Sequence, residues 1–462
     1  MSGDVVTYGS TRGRAPAIGF SDTLLAGLAP DGGLYLPHSW PSLTTLPAGD
    51  YCSVATEVMA PFVAPDIALD DFRSMVAEAY GTFRHPEVCP LVELDDGLYL
   101  LELFHGPTLA FKDVALQLLG RLFDHELRRR GERITIVGAT SGDTGSAAMD
   151  AVANSDLVDM VILFPKGRTS EVQRRQMTTL AADNVHAVAI DGTFDDCQDL
   201  VKAMFADEPF RTRVRLSAVN SINWARVMAQ TVYYVWAVQQ LADTTDRISF
   251  CVPTGNFGNV FAGHGARRMG LPMDRLMVAS NTNDILTRLL ATGELRSEAV
   301  VPTLSPSMDI QISSNLERLL YELMGHDGAA TEALLLAFRD QGVAALTAEQ
   351  HRLLGEGFVG DCLSDEETLS EIAEVYERVG MMVDPHTAVG IGAARRLRRP
   401  DECVVSLATA HPAKFPDAVE KATGVRPRLP DHLHDLLERP ERVTDLACDL
   451  ATVEDFVESV RR

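Results

Sequence analysis

Arg133–Ile–Thr–Ile–Val–Gly138–Ala139–Thr140–Ser141–Gly142–Asp143–Thr144–Gly145–Ser146 is the stretch from which the fold is read. Its first half is an apolar, β-branched run, the pattern of a buried strand. A loop of glycine, serine and threonine follows, and helical spacing begins beyond it. Similar apolar runs stand at Val158–Phe164 and His186–Ile190, separated by segments of helical period. Strand alternating with helix predicts a parallel sheet with crossover helices. The loop after the first strand exposes N–H groups at the positive end of a helix, a setting that binds anions. A capped tight turn would read the same way. The loop is neither G-x-G-x-x-G nor a Walker A motif, so a dinucleotide or nucleoside triphosphate is poorly supported.

Outward from that stretch the theme repeats. Ile248–Val252 reads as a strand, Pro253–Thr–Gly255–Asn256–Phe257–Gly258–Asn259 as a loop, and a helix begins near Val260. Two glycines so close together let the backbone wrap around a phosphate. On the other side lies Leu103–Phe–His–Gly–Pro–Thr–Leu–Ala–Phe–Lys112–Asp113, where Lys112 joins a Gly-Pro turn to an amphipathic run. Lysine is scarce: of 41 lysines and arginines, only residues 112, 166, 202, 414 and 421 are lysine. An amine among apolar residues loses solvation, which lowers its pKa and makes it a better nucleophile toward an aldehyde. Arginine stays protonated and could not serve. A snorkelling lysine at a helix start is the plainer alternative for this residue taken alone.

Other segments complete the chain. Tyr8–Gly13 places Arg12 beside two hydroxyls and a glycine. Asp31–Gly–Gly–Leu–Tyr–Leu–Pro37 reads as a turn into a strand. Helical periodicity marks Tyr51–Ala60 and Asp70–Tyr80, and a hairpin is expected around Asp95–Gly97. Ser314 and Glu317 have the spacing of a capping box, which would leave Asn315 and Arg318 free to meet an anion. Asp384–Gly390 reads as an X-Pro turn into a helix. Cys403–Thr409 reads as a strand ending in a hydroxyl, with His411–Pro–Ala–Lys414–Phe415 directly after it. The charged, helical end reads as packing or tail.

The composition sets limits. A chain of 462 residues, 46% hydrophobic and 23% charged, is that of an ordinary soluble protein with room for two or three domains. We expect an N-terminal module over 1–90, a large domain from 91–125 and 246–462, and a small α/β domain over 126–245. No apolar run is long enough to span a bilayer and no signal segment is seen, so a cytoplasmic protein is expected. Seven scattered cysteines with no C-x-x-C pair read as reduced thiols, and no metal site is expected. A net charge of −24 argues against nucleic acid as a partner. An anionic ligand would be repelled by that field, so local donors must hold it.

Together these segments carry a resemblance. Asp31–Pro37, His105–Asp113, Thr140–Ser146, Pro253–Asn259 and Leu407–Phe415 resemble the threonine synthases, most of all the subgroup without an N-terminal regulatory extension. That family lies among the pyridoxal-phosphate (PLP) enzymes of fold type II, the tryptophan synthase β-like fold. The resemblance implies an α/β chain of parallel-sheet, three-layer domains with helices on both faces. It implies a Schiff base between Lys112 and PLP. It assigns the cofactor phosphate to Gly255, Asn256, Phe257, Gly258 and Asn259, the pyridine nitrogen to Thr409 and the ring 3-oxygen to Asp143. An ionised carboxylate there would repel a phenolate, so either a proton is shared or Asp143 points elsewhere. The implied reaction turns O-phospho-L-homoserine and water into L-threonine and phosphate, in a monomer or homodimer. Candidate substrate contacts are Ser141, Gly142, Thr144, Arg12, Lys166, Ser313, Ser314, Asn315 and Arg318, with Lys414 either a further donor or a surface lysine. Two alternatives are another lyase of this fold, such as a serine or threonine dehydratase or a phosphothreonine phospho-lyase, and a PLP-binding relative without activity.

Overall fold

Two parallel sheets carry the architecture of a computed structural model that describes residues 5–462 other than Ser141, Arg168, Val219 and Asp246. The smaller sheet runs Val443–Ala447, Val185–Asp191, Val158–Pro165, Ile134–Ala139, Leu216–Ser217, every pair parallel. Val158–Pro165 is buried along its whole length, which is why its sequence is a continuous apolar run rather than an alternating one. The larger sheet runs Phe358–Cys362, Leu276–Ser280, Ile248–Pro253, Cys403–Ala408, Leu98–Glu102, Leu91–Asp95. Its strands are parallel except the last, which joins Leu98–Glu102 as an antiparallel hairpin. Gly97 turns that hairpin at φ 68°.

The helix Trp224–Leu241 packs against the helices Tyr51–Val63, Lys112–Arg130 and Gly258–Arg268. All but two of its 18 residues are buried, so it has no solvent stripe and is a core helix. It therefore belongs with the larger half, although the sequence suggested 126–245 as one small domain. The tail differs as well. Val443–Ala447 adds an edge strand to the smaller sheet, and Val453 and Val457 of the helix Leu450–Ser459 pack into the apolar cluster of that sheet. The expected grouping of all of 246–462 with the larger half thus fails at its end, because the tail's apolar spacing finds its partners some 250 residues upstream. Among the described residues no helix is long and apolar enough to cross a membrane.

This topology positions a site. Four segments singled out in the sequence leave the C-terminal ends of parallel strands: 103–112 after Leu98–Glu102, 140–146 after Ile134–Ala139, 254–259 after Ile248–Pro253, and 409–415 after Cys403–Ala408. Open α/β sheets place their ligands there.

Candidate active site

Lys112 opens the helix Lys112–Arg130, and the turn before it is held from two directions. Phe111 donates its N–H to the Thr409 carbonyl at 2.9 Å, and His411 donates to Leu109 at 3.0 Å. Asp113 is buried and accepts from the Thr108 N–H at 2.8 Å and its hydroxyl at 2.7 Å, which closes the turn. A Cβ on Gly106 would lie 2.4 Å from that of Asp113, so the Gly-Pro turn needs glycine for close approach. Burial pushes the Lys112 amine below the ordinary lysine range; Asp143 draws it back up, and the charges of Lys414 and Arg226 push it down. The plainer reading of a snorkelling lysine does not hold, because the Lys112 side chain is only 11% exposed.

Asp143 begins the helix Asp143–Val152 and points at that amine, with Oδ2 3.5 Å from Lys112 Nζ. Oδ1 accepts from Gln173 Nε2 at 2.8 Å and pairs with Lys414 Nζ at 2.9 Å. Burial alone would raise its pKa, but Lys414 and Lys112, with the bond from Gln173, hold it well below the usual carboxylate range. Lys414 is not a surface lysine: its side chain is 0% exposed. In the neighbouring loop Thr140 Oγ1 accepts from the N–H groups of Gly142 and Gly145 at 3.1 and 3.2 Å. Two amides expected to face an anion are therefore used within the turn, as the capped-turn alternative requires. Thr144 lies half-buried on the first turn of that helix, and Ser141 lies outside the described residues.

The second loop is a cradle. Phe257 adopts φ 61°, and Gly258 starts the helix Gly258–Arg268, whose first N–H groups have no partner within the helix. A Cβ on Gly255 would strike the Ser307 carbonyl at 2.3 Å, while one on Gly258 would stand 3.2 Å from Asn315 Nδ2. Asn259 Oδ1 accepts from the hydroxyls of Tyr233 and Tyr234, whereas its buried Nδ2 has no partner among the described residues. A buried donor left so is costly, which marks the place of a missing acceptor.

The segment 313–315 supports this cradle from behind. Ser313 donates to the Gly255 carbonyl at 2.7 Å, Ser314 to Asn256 Oδ1 at 3.5 Å, and Asn315 Nδ2 to the Asn256 and Ser221 carbonyls at 3.0 and 3.1 Å. The expected capping box does not form. Asn315 is the N-cap of Leu316–Leu323, and Glu317 accepts instead from Thr11 and Arg12.

Three expected anion contacts are spent elsewhere. Arg12 is locked to Glu317 at 2.8 Å. Lys166 pairs with Asp445 at 2.8 Å on the exposed edge of the smaller sheet. Arg318 is fully buried and donates to the Tyr35 and Ile222 carbonyls at 2.9 and 2.6 Å and to Asn315 Oδ1. Its guanidinium ties three segments together and has no arm to offer a ligand. Arg318→Ala should accordingly cost about 3–5 kcal/mol of stability, read by urea unfolding, because it leaves buried acceptors unpaired. An unchanged unfolding midpoint with lost activity would return Arg318 to the substrate.

The missed residue is Arg226, on the first turn of Trp224–Leu241. It is 4% exposed, and its Nε and Nη1 are buried without a partner among the described residues. Burial alone pushes its pKa down to about 10, and its charge reaches Lys112. An unpaired buried guanidinium awaits an anion. The signal was available in the sequence: an arginine in the first turn of an otherwise apolar helix opposes the helix dipole.

The sequence matches the families described as Threonine synthase N terminus over residues 7–80, Pyridoxal-phosphate dependent enzyme over 85–350, and Threonine synthase, C-terminal over 387–457. It is 53% identical over 457 residues to the threonine synthase of Pseudomonas aeruginosa, covering 97% of each chain. The PLP-bound threonine synthase of Brucella melitensis is similar in structure, with a TM-score of 0.97 at 52% identity over 99% of this chain and 100% of that one. The yeast threonine synthase gives 0.94 at 38% identity over 98% of both.

Proposed function

This chain belongs to the threonine synthase family of pyridoxal-phosphate-dependent enzymes, and on that premise we propose that it converts O-phospho-L-homoserine and water into L-threonine and phosphate. One observation carries the reading: Lys112, a buried amine beside an ionised Asp143, lies within reach of the charge of an unpaired buried arginine, Arg226.

The residues fit the cofactor. Lys112 would hold PLP through its amine. The helix start at Gly258, with the unpartnered Nδ2 of Asn259, suits its phosphate. Thr409, following Cys403–Ala408, would offer the pyridine nitrogen a hydroxyl rather than a carboxylate, which leaves that nitrogen largely unprotonated. Bound PLP supplies an electron sink for negative charge at the substrate α-carbon.

The chain's own groups move protons and hold charge. With its amine free, Lys112 takes the proton from the α-carbon and later one from the β-carbon. Phosphate departs from the γ-carbon and one proton is returned there; water then adds its hydroxyl at the β-carbon, its other proton going to the released phosphate, and the remaining proton returns to the α-carbon. Arg226 meets the phosphate with a planar fork that binds two oxygens at once. Its burial makes each bond stronger than in water. This local cation answers the problem set by a net charge of −24. The assembly proposed is a monomer or a homodimer. The seven cysteines are free thiols, which supports the cytoplasm as the compartment.

Product analysis tests the reading. Phosphohomoserine should yield threonine and phosphate in equal amounts. A keto acid and ammonia would point to a dehydratase, turnover of phosphothreonine alone to a phospho-lyase, and a bound cofactor without turnover to an inactive relative.

A further inference from the structure

The structure holds a second buried lysine against the reactive one. Lys414 Nζ lies 2.6 Å from the Thr108 carbonyl, 2.8 Å from Gln176 Oε1 and 2.9 Å from Asp143 Oδ1. Its three N–H bonds thus face three acceptors, none of which has a proton to give. It sits there as an ammonium, held by the turn before Lys112, by the helix Glu171–Thr178 and by Asp143. Asp143 is fixed in turn by Gln173, and only its second oxygen faces Lys112, at 3.5 Å.

We propose that Lys414 is a positioning residue for the reaction: it compensates the Asp143 charge and aims that carboxylate at Lys112, so the carboxylate orients the reactive amine without keeping a proton on it. Without Lys414, Asp143 would have Lys112 as its one close cation among the described residues, and a tight buried pair would hold Lys112 protonated and unreactive. The close ion pair is the one to Lys414, at 2.9 Å; the contact to Lys112 is long, at 3.5 Å. Other charges face the cluster. Arg226 acts on Lys112, while Asp113 and His411 lie near Lys414. None of these bridges Asp143 as Lys414 does.

The proposal rests on Lys112 carrying the cofactor, and the test separates the two. The holoenzyme is titrated with base while its visible absorbance is followed; the midpoint reports loss of the proton on the nitrogen that Lys112 shares with the cofactor. Removing the Lys414 charge by Lys414→Met should move this midpoint up by about one pH unit or more. Asp143→Asn should move it down, and the double variant should fall near wild type. A purely structural role would lower the unfolding temperature and leave the midpoint in place. If Lys414→Met alone does not fold, the comparison is made between Asp143→Asn and Asp143→Asn/Lys414→Met, where no carboxylate is left unpaired. The second substitution should still raise the midpoint. A wild-type holoenzyme without a visible band would remove the cofactor premise. A band whose midpoint ignores Lys414 in both backgrounds would overturn the proposal itself.

Discussion

Lys112→Ala should abolish threonine formation, with a loss in kcat of ~10⁴-fold or more, because the proposed reaction uses this one amine as cofactor anchor, nucleophile and proton carrier. The fold should survive. Among the described residues the Lys112 side chain makes one polar contact, at 3.5 Å to Asp143, and it lies over the Phe111 ring at 5.0 Å. Asp143 keeps Lys414 and Gln173 when Lys112 is gone, so no buried carboxylate is orphaned. Circular dichroism and thermal unfolding should match wild type while threonine and phosphate release vanish. Substantial turnover in this variant would move the chemistry to another residue.

Arg226→Gln should lose about 10²- to 10³-fold in kcat/KM, the scale of removing one preorganised charge from a developing anion. Its second signature is the more telling. A residue that maintains the fold destabilises the protein when removed, but Arg226 has buried Nε and Nη1 groups without acceptors among the described residues. Replacing it with a neutral side chain of similar reach removes an uncompensated desolvation cost, so the unfolding midpoint should stay or rise. Cofactor absorbance should persist, because the Gly255–Asn259 cradle is untouched. Full kcat/KM in a destabilised Arg226→Gln would make the guanidinium structural and sink this assignment.

The two arginines show what the sequence could and could not disclose. Arg226 and Arg318 both occupy the first turn of a helix, and the sequence directed attention to Arg318 through the nearby hydroxyls. The difference lies in acceptors far along the chain. Arg318 is spent on Tyr35, 283 residues away, and Ile222, 96 away. Arg12 is likewise removed from play by Glu317, 305 residues downstream. No local window reveals such partners. The same holds for Lys414, whose cage is built from Thr108, Asp143 and Gln176, and for the tail strand that joins the smaller sheet. What was legible is what short range encodes: the apolar runs that become strands, the two strand–loop–helix units, and a lysine set in apolar surroundings. Asp143 was legible as a place but not in orientation. Its ion-pair partner, the buried Lys414, stands 271 positions later in the chain.

The central claim is that Lys112, of five lysines, carries the cofactor. Reducing the yellow holoenzyme with borohydride and mapping its peptides tests this most directly. The account predicts that the visible band disappears and that the pyridoxyl group is found on the peptide containing Lys112. A label on Lys414, the other buried lysine, or on Lys166, Lys202 or Lys421 would contradict it.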